Sequence, residues 1–273
     1  MVWLALVMGN SRFHWGIGDR HSLLCCWDTS SLSVDEIETI IPELEQGKIP
    51  ELILKDCPLK DRFHLKTFNT PKLWLVSVIP SITPLWKSYS QTHVIELADL
   101  PLKGMYPTFG IDRALAVLGA GTKWGWPILV IDGGTALTLT GANGDRHLVG
   151  GAILPGLGLQ TRLLAQHTRT LPQITLSEQL PKRWSLDTQE AIASGILYAL
   201  LAGLHDFIQN WHTHYPQTPI ILTGGDGKHL TQFLMQQYPQ LHPHLHFDPD
   251  LIFLGIAKTA PERGLNGLKD EHG

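Results

Sequence analysis

Residues 128–137 read Ile128-Leu129-Val130-Ile131-Asp132-Gly133-Gly134-Thr135-Ala136-Leu137. The apolar run predicts a strand that ends at an acid, turns on two glycines and resumes through a hydroxyl as a second, alternating strand. Glycines let backbone N–H groups approach a ligand with no Cβ in the way, and the carboxylate beside them can hold a cation. The segment therefore suits a phosphate and its metal. A plain β-hairpin, in which the Asp-Gly pair only supplies positive φ angles, accounts for the same residues.

The N-terminal stretch repeats the pattern. Trp3-Leu4-Ala5-Leu6-Val7 reads as a strand, Gly9-Asn10-Ser11 as a turn, and Arg12 to Gly16 as the returning strand. A third strand follows each time, Leu23 to Trp27 in the first copy and Arg146 to Ile153 in the second. Each half continues into helical and strand patterns, which predicts a duplicated α/β fold with a nucleotide cleft between two lobes. The first lobe is expected over residues 1–120 and the second over 127–260, with a flexible tail at 261–273.

Composition agrees with this class and excludes others. A chain of 273 residues with 43% hydrophobic content can bury two cores, and 17% charged residues is too few for a disordered polymer. The net charge of −4, with Lys and Arg scattered singly, offers no basic stripe for nucleic acid. No apolar run is expected to reach a membrane span, and Met1 to Leu4 lacks a basic leader. Three cysteines, Cys25, Cys26 and Cys57, have no metal-ligand spacing and read as core thiols of a reducing compartment. The protein is placed in the cytoplasm.

Between the hairpins, Val34 to Leu44 has helical spacing, Leu52-Ile53-Leu54 reads as a short strand, and Leu73 to Ile79 as a buried strand stopped by Pro80. Val94 to Leu97 is the next strand. The Pro- and Gly-rich segment 101–109 is a loop that opens into a helix at Asp112. A loop is expected at Gly150 to Gly158, a long helix from Thr188, and a strand at Ile220 to Leu222 that runs into Thr223-Gly224-Gly225-Asp226-Gly227.

Several of these segments can carry chemistry. In Gly110-Ile111-Asp112-Arg113 a carboxylate at a helix start can reach a substrate hydroxyl and the guanidinium can bind an anion; an N-cap with a solvated arginine is the alternative. Gly224 and Gly225 leave backbone on which an adenine can lie, or form an ordinary turn. Small residues at Gly150, Gly151 and Gly156 read first as packing, and Thr188 as a helix cap. His242, His244 and His246 alternate and would share a strand face, yet two prolines and the lack of a completing Cys or carboxylate set argue against a metal site.

In their order, Val7-Met8-Gly9-Asn10-Ser11, Gly110-Ile111-Asp112-Arg113, Asp132-Gly133-Gly134-Thr135, Gly150-Gly151 with Pro155-Gly156, Thr188-Gln189-Glu190-Ala191, and Thr223-Gly224-Gly225-Asp226 resemble the type III pantothenate kinases, of the acetate and sugar kinase, heat-shock ATPase and actin superfamily. The resemblance covers Leu4 to about Ala257. It implies a duplicated ribonuclease H-like (actin-like ATPase) fold and ATP-dependent phosphorylation of pantothenate, the first step toward coenzyme A. It implies that Asp112 is the general base and that Tyr106, Gly110, Ile111, Arg113 and Thr188 bind pantothenate. Val7, Met8, Gly9, Asn10, Ser11, Arg12, Thr135, Gly224 and Gly225 would meet ATP and its Mg2+, and Asp132 a monovalent cation, K+ or NH4+. Family members are homodimers in which the threonine at position 188 reaches the neighbouring subunit's substrate.

The chain departs from the family at the first turn. The family's Asp-x-Gly-Asn-Thr is here Val7-Met8-Gly9-Asn10-Ser11, which keeps a hydroxyl and loses the acid. A working kinase and a degenerate nucleotide-binding regulatory relative are both open on the sequence, as is a kinase for another small hydroxylated acid or sugar. Retention of Asp112, Arg113 and Asp132 together favours the kinase.

Overall fold

The computed structural model describes residues 2–9, 12–19, 22–63 and 70–266. Asn10 and Ser11, expected at the phosphate, and residues 267–273 of the expected tail lie outside the described residues.

The first half begins as an antiparallel meander of β1 (Val2–Met8), β2 (Phe13–Asp19) and β3 (Ser22–Thr29). Helix α1 (Val34–Glu45) starts at a capping box, with Glu36 N donating to Ser33 Oγ and Ser33 N donating to the Glu36 carboxylate. Two single helical turns follow, α2 (Glu51–Leu54) and α3 (Lys60–Phe63), then β4 (Lys72–Ser77), α4 (Thr83–Lys87) and β5 (Thr92–Val94). Leu52 to Leu54, expected as a strand, is the turn α2, because Ile53 and Leu54 N both donate to Pro50 O; three apolar residues carry no period that separates the two. Helix α5 (Ile111–Trp124) leads to the second half.

There β6 (Ile128–Gly133), β7 (Ala136–Ala142) and β8 (Leu148–Pro155) form a second meander, followed by α6 (Leu157–His167) and α7 (Thr188–His214). Strand β9 (Ile220–Thr223), α8 (Gly227–Gln237), β10 (Leu245–Phe247) and α9 (Leu251–Asn266) complete the described chain. Strand β8 is the third strand expected at Arg146 to Ile153, and it runs on through Pro155, so the loop expected at Gly150 to Gly158 shrinks to Gly156. The strand's residues alternate in burial, and as an edge strand it tolerates glycine and a terminal proline. The C-terminal helix continues past Pro261, where the tail was expected.

The two sheets share one topology. The first runs β3-β2-β1-β4-β5; the second, written from its other edge, runs β8-β7-β6-β9-β10. In each the first strand pairs antiparallel with the second and parallel with the fourth, and the fourth parallel with the fifth. The fold is thus a duplicated α/β fold. Each sheet has its own core: Trp15, Leu6, Ile40 and Trp86 are among the buried residues of the first, and Ile131, Leu139, Leu201 and Leu222 among those of the second. Trp27 Nε1 donates to Ile53 O at 2.7 Å and Trp15 Nε1 to Thr29 Oγ1 at 3.1 Å, so these buried tryptophans are satisfied.

The chain divides into two compact units whose borders do not follow the sequence halves. One comprises residues 1–101, 108–119 and 252–273, the other residues 102–107 and 120–251. Within the first, the C-terminal helix is seated on two glycine contacts. The Phe253 ring fills the space beside Gly16, where an added Cβ would come within 2.6 Å of it, and Gly255 lies so close to the Leu115 carbonyl that no side chain fits.

Two expectations are corrected. Helix α7 is long and apolar enough to cross a membrane by length and composition, contrary to the expectation of no such run; Ile196, Leu197, Leu201 and Leu204 on it are buried in the core of the second unit. Cys57 is buried as expected, but Cys25 and Cys26 are only half-buried; Cys25 Sγ lies 3.7 Å from Cys57 Sγ.

Candidate active site

In the first unit, β1 carries Val7 and Met8 to the sheet's end. Gly9 N then donates to Arg12 O at 3.1 Å and closes the turn. Val7 is 6% exposed, paired in register with His14 on β2 and Val76 on β4, so an apolar side chain stands where a cation ligand was to be sought. Arg12, expected at the phosphate, lies with Nη1 3.6 Å from Asp28 Oδ2. His14 Nδ1 is 2.7 Å from Asp28 Oδ1. The His14 hydrogen bond, with the charges of His14 and Arg12, holds the Asp28 carboxyl below the ordinary aspartate range against a partial desolvation cost.

The same unit holds Asp112 in the first turn of α5, where the helix dipole favours an acid. Its Oδ1 accepts from Arg113 N at 2.8 Å, and the point a Gly110 Cβ would occupy is 2.5 Å from that oxygen. Glycine is therefore required at 110 for the carboxylate to fold back over the helix start. The Arg113 guanidinium sits 4.9 Å above the Phe109 ring, which gives it a fixed platform. Gly110, Ile111, Asp112 and Arg113 are all half-buried at the start of α5.

The second unit gathers segments that lie far apart in sequence. Asp132 pairs with Thr223 across β6 and β9 and with Thr138 across β6 and β7. Gly224 has φ +79°, and a Cβ there would overlap Asp132 Oδ1 and crowd the Gly133 backbone. Asp226 N donates to Gly133 O at 2.9 Å, and Gly227 N to Gly224 O at 3.1 Å. On the other side Gly156 N donates to Thr135 O at 2.9 Å, and a side chain at 156 would collide with Gly134 O. Three turns thus meet as bare backbone around Asp132-Gly133-Gly134-Thr135. Neither Gly133 nor Gly134 has positive φ, so the glycines serve close approach and not the hairpin conformation. Burial pushes the Asp226 carboxyl up, partly offset by the His229 charge.

Thr188 is exposed at the start of α7, but the cap is Asp187, whose Oδ1 accepts from Gln189 N at 2.9 Å and Glu190 N at 3.0 Å. The expected capping role therefore belongs to its neighbour. Tyr106 is 44% exposed in the short segment that joins the second unit, where Lys103 N donates to Arg146 O and Leu148 N to Lys103 O. Of the three alternating histidines only His246 is on a strand, and it stacks on Trp124 at 4.4 Å. Among the described residues no cluster of three or more His, Cys, Asp or Glu could hold a metal.

Sequence reasoning missed His14, Asp28 and Asp187. The first two are brought together by strand register, which no local motif announces; Asp187 was masked by the hydroxyl next to it.

The sequence profile of the family described as type III pantothenate kinase matches residues 3–210. Proteins named type III pantothenate kinase are similar over nearly the whole chain. That of a Nostoc species is 44% identical over 262 residues, covering 93% of this chain and 92% of its own. That of a Synechocystis species is 42% identical over 257 residues, covering 93% and 89%. Among solved structures, a Baf family transcriptional activator from Campylobacter jejuni superposes with a TM-score of 0.58 at 21% identity, covering 96% of this chain and 99% of that one. The activator of 2-hydroxyisocaproyl-CoA dehydratase from Clostridium difficile, with bound ADPNP, gives 0.53 at 10% identity, covering 100% and 99%. At such identities these two likenesses speak for the fold, the duplicated actin-like ATPase fold.

Proposed function

The chain belongs to the type III pantothenate kinases, and we propose on that footing that it transfers the γ-phosphoryl group of ATP to the primary hydroxyl of pantothenate. The observation that carries the reading to particular atoms is the Asp112 carboxylate, held by Arg113 N and given room by Gly110. The substrate hydroxyl oxygen attacks the γ-phosphorus, its proton passes to Asp112, and the bond to the bridging oxygen breaks to release ADP. In a loose transition state of this kind most of the catalysis is positioning and charge neutralisation, so one oriented carboxylate suffices on the acceptor side.

Gly110, Ile111 and Arg113 surround the acceptor, with the guanidinium suited to the pantothenate carboxylate, and Tyr106 belongs to the same substrate set. The bare backbone around Gly133, Gly134, Gly224 and Gly225 suits a nucleotide: glycine at 156 and 224 lets the three turns close on one another, and at Gly225 the place of a Cβ meets no protein atom within 4 Å. Thr135, Gly224 and Gly225 are assigned to ATP there, and Val7 to Arg12 to its phosphates at the first turn. Mg2+ bound with ATP supplies charge neutralisation; it keeps several waters and needs few protein ligands, which is compatible with Val7. Asp132 holds the monovalent cation, K+ or NH4+. The working form is a cytoplasmic homodimer in which Thr188 reaches the pantothenate of the partner subunit, a role to which its exposure lends itself.

Val7 favours a second reading, a relative that binds nucleotide without turnover. ADP release measured with saturating ATP, with and without pantothenate and K+, separates the two. Pantothenate-dependent ADP formation is expected; ATP binding without it would remove the pantothenate kinase reading.

A further inference from the structure

Strand β3 is an edge strand with a bulge, and the bulge decides where its cysteines point. Gly18 pairs with Leu23 and Ile17 with Cys25, so Leu24 is the extra residue. Directly paired residues project to the same face of a sheet, and a shift of one residue exchanges the faces. Past the bulge, Cys25, Trp27 and Thr29 stand with Ile17, Trp15 and Phe13, which are all fully buried. Cys26, paired with Gly16, stands on the other face, where the Phe253 ring lies.

The helical turn α2 brings Cys57 to the buried face. Trp27 Nε1 donates to Ile53 O at 2.7 Å, and Cys57 N donates to Leu54 O at 2.9 Å. The tryptophan two residues beyond Cys25 thus holds the turn that carries Cys57, and the two sulfurs arrive 3.7 Å apart. That is contact distance for two thiols, about 1.7 Å more than the length of a disulfide bond. Exposure divides their roles: Cys25 is half-buried and within reach of a reagent from solvent, whereas Cys57 is 4% exposed. The opposite orientation of Cys26 keeps it from competing for Cys57.

We propose that Cys25 and Cys57 form a reversible thiol–disulfide site that reacts with small-molecule disulfides. The deprotonated Cys25 sulfur attacks one sulfur of the reagent, the reagent's S–S bond breaks, and one thiolate leaves a mixed disulfide on Cys25. The deprotonated Cys57 sulfur then attacks the Cys25 sulfur, the new S–S bond forms, and the second thiolate leaves. Two protein thiols are oxidised, releasing two protons, and the reagent takes the two electrons as it becomes two thiols. The product ties edge strand β3 to α2 across a span of 32 residues. Neither cysteine is among the residues assigned to ATP or pantothenate, so the site stands apart from the proposed reaction.

The test treats the folded protein, freed of reductant, with glutathione disulfide, maps its non-reduced peptides by mass spectrometry and follows thermal unfolding. The expected result is a peptide pair joined through Cys25 and Cys57, with Tm higher by about 5–10 °C because a loop of this length is closed in the unfolded chain. Dithiothreitol should reverse both. Cys57→Ser should stop at glutathione on Cys25 with no such rise in Tm, and Cys26→Ser should behave as the wild type. The proposal is overturned by a bond from Cys25 to Cys26 or between two chains, by glutathione that stays on Cys25 of the wild type, by no reaction, or by joining that needs denaturant. A joined pair that leaves Tm unchanged overturns the tie between β3 and α2.

Discussion

Oδ1 of Asp132 occupies the place that a side chain on Gly224 would need. Asp132 lies on β6 and Gly224 directly follows β9, which pairs with β6 in parallel; the two residues are 92 apart in the chain, and the φ of +79° at 224 favours glycine independently. Gly224→Ala is therefore expected to cost about 1–3 kcal/mol of stability from the backbone alone and to displace the Asp132 carboxylate. Thermal unfolding together with ATP titration checks this. A variant of unchanged Tm and unchanged ATP affinity would contradict it.

Asp112→Ala should lower kcat by about 10^2- to 10^4-fold, with ATP affinity and Tm little changed. The residue is half-buried and its carboxylate accepts from the adjacent Arg113 amide at the helix start, so the core is not disturbed by its removal. Near-normal kcat in the variant would reassign the base.

Asp132→Asn keeps the shape and removes the charge. If Asp132 holds the monovalent cation, the stimulation of turnover by K+ should disappear while some K+-independent rate survives. Activity measured against KCl at constant ionic strength gives the answer, and retention of the full stimulation places the cation elsewhere.

Stability should fall on mild acidification because of the second unit. Burial holds the His246 and His244 imidazoles below the usual histidine value, with further lowering by the His244 and His212 charges respectively. The unfolded chain then binds more protons than the folded one between those depressed values and about 6.5, so stability rises with pH through that window and is lost as pH falls through it. Tm measured from pH 7.5 to 5 should decline, and His246→Phe, which preserves a ring against Trp124, should flatten the decline.

The meanders were legible because a glycine turn between alternating strands leaves a local signature, and the repetition of that signature announced the duplication. Elements without a period were not: Leu52 to Leu54 folded as a helical turn, and the end of the third strand of the second meander was placed at Ile153, since its glycines and Pro155 read equally as a loop. The site divides in the same way. Gly110 to Arg113 could be identified because its four residues are consecutive. The meeting of Asp132, Gly156 and Gly224 needed either the fold or a family pattern, and the His14–Asp28 pair needed the strand register, since the two are fourteen residues apart on different strands.

The seating of Phe253 beside Gly16 and of Gly255 against Leu115 has a consequence for the order in which the protein is made. The second unit is nearly continuous in sequence, so its core is complete once residue 251 has been synthesised. The first unit holds the earliest strands to emerge, yet it waits for the last helix to cover Gly16. Domains generally fold as units during synthesis, and here the unit that starts first is the one that finishes last, since the space beside Gly16 is filled only once Phe253 has been made.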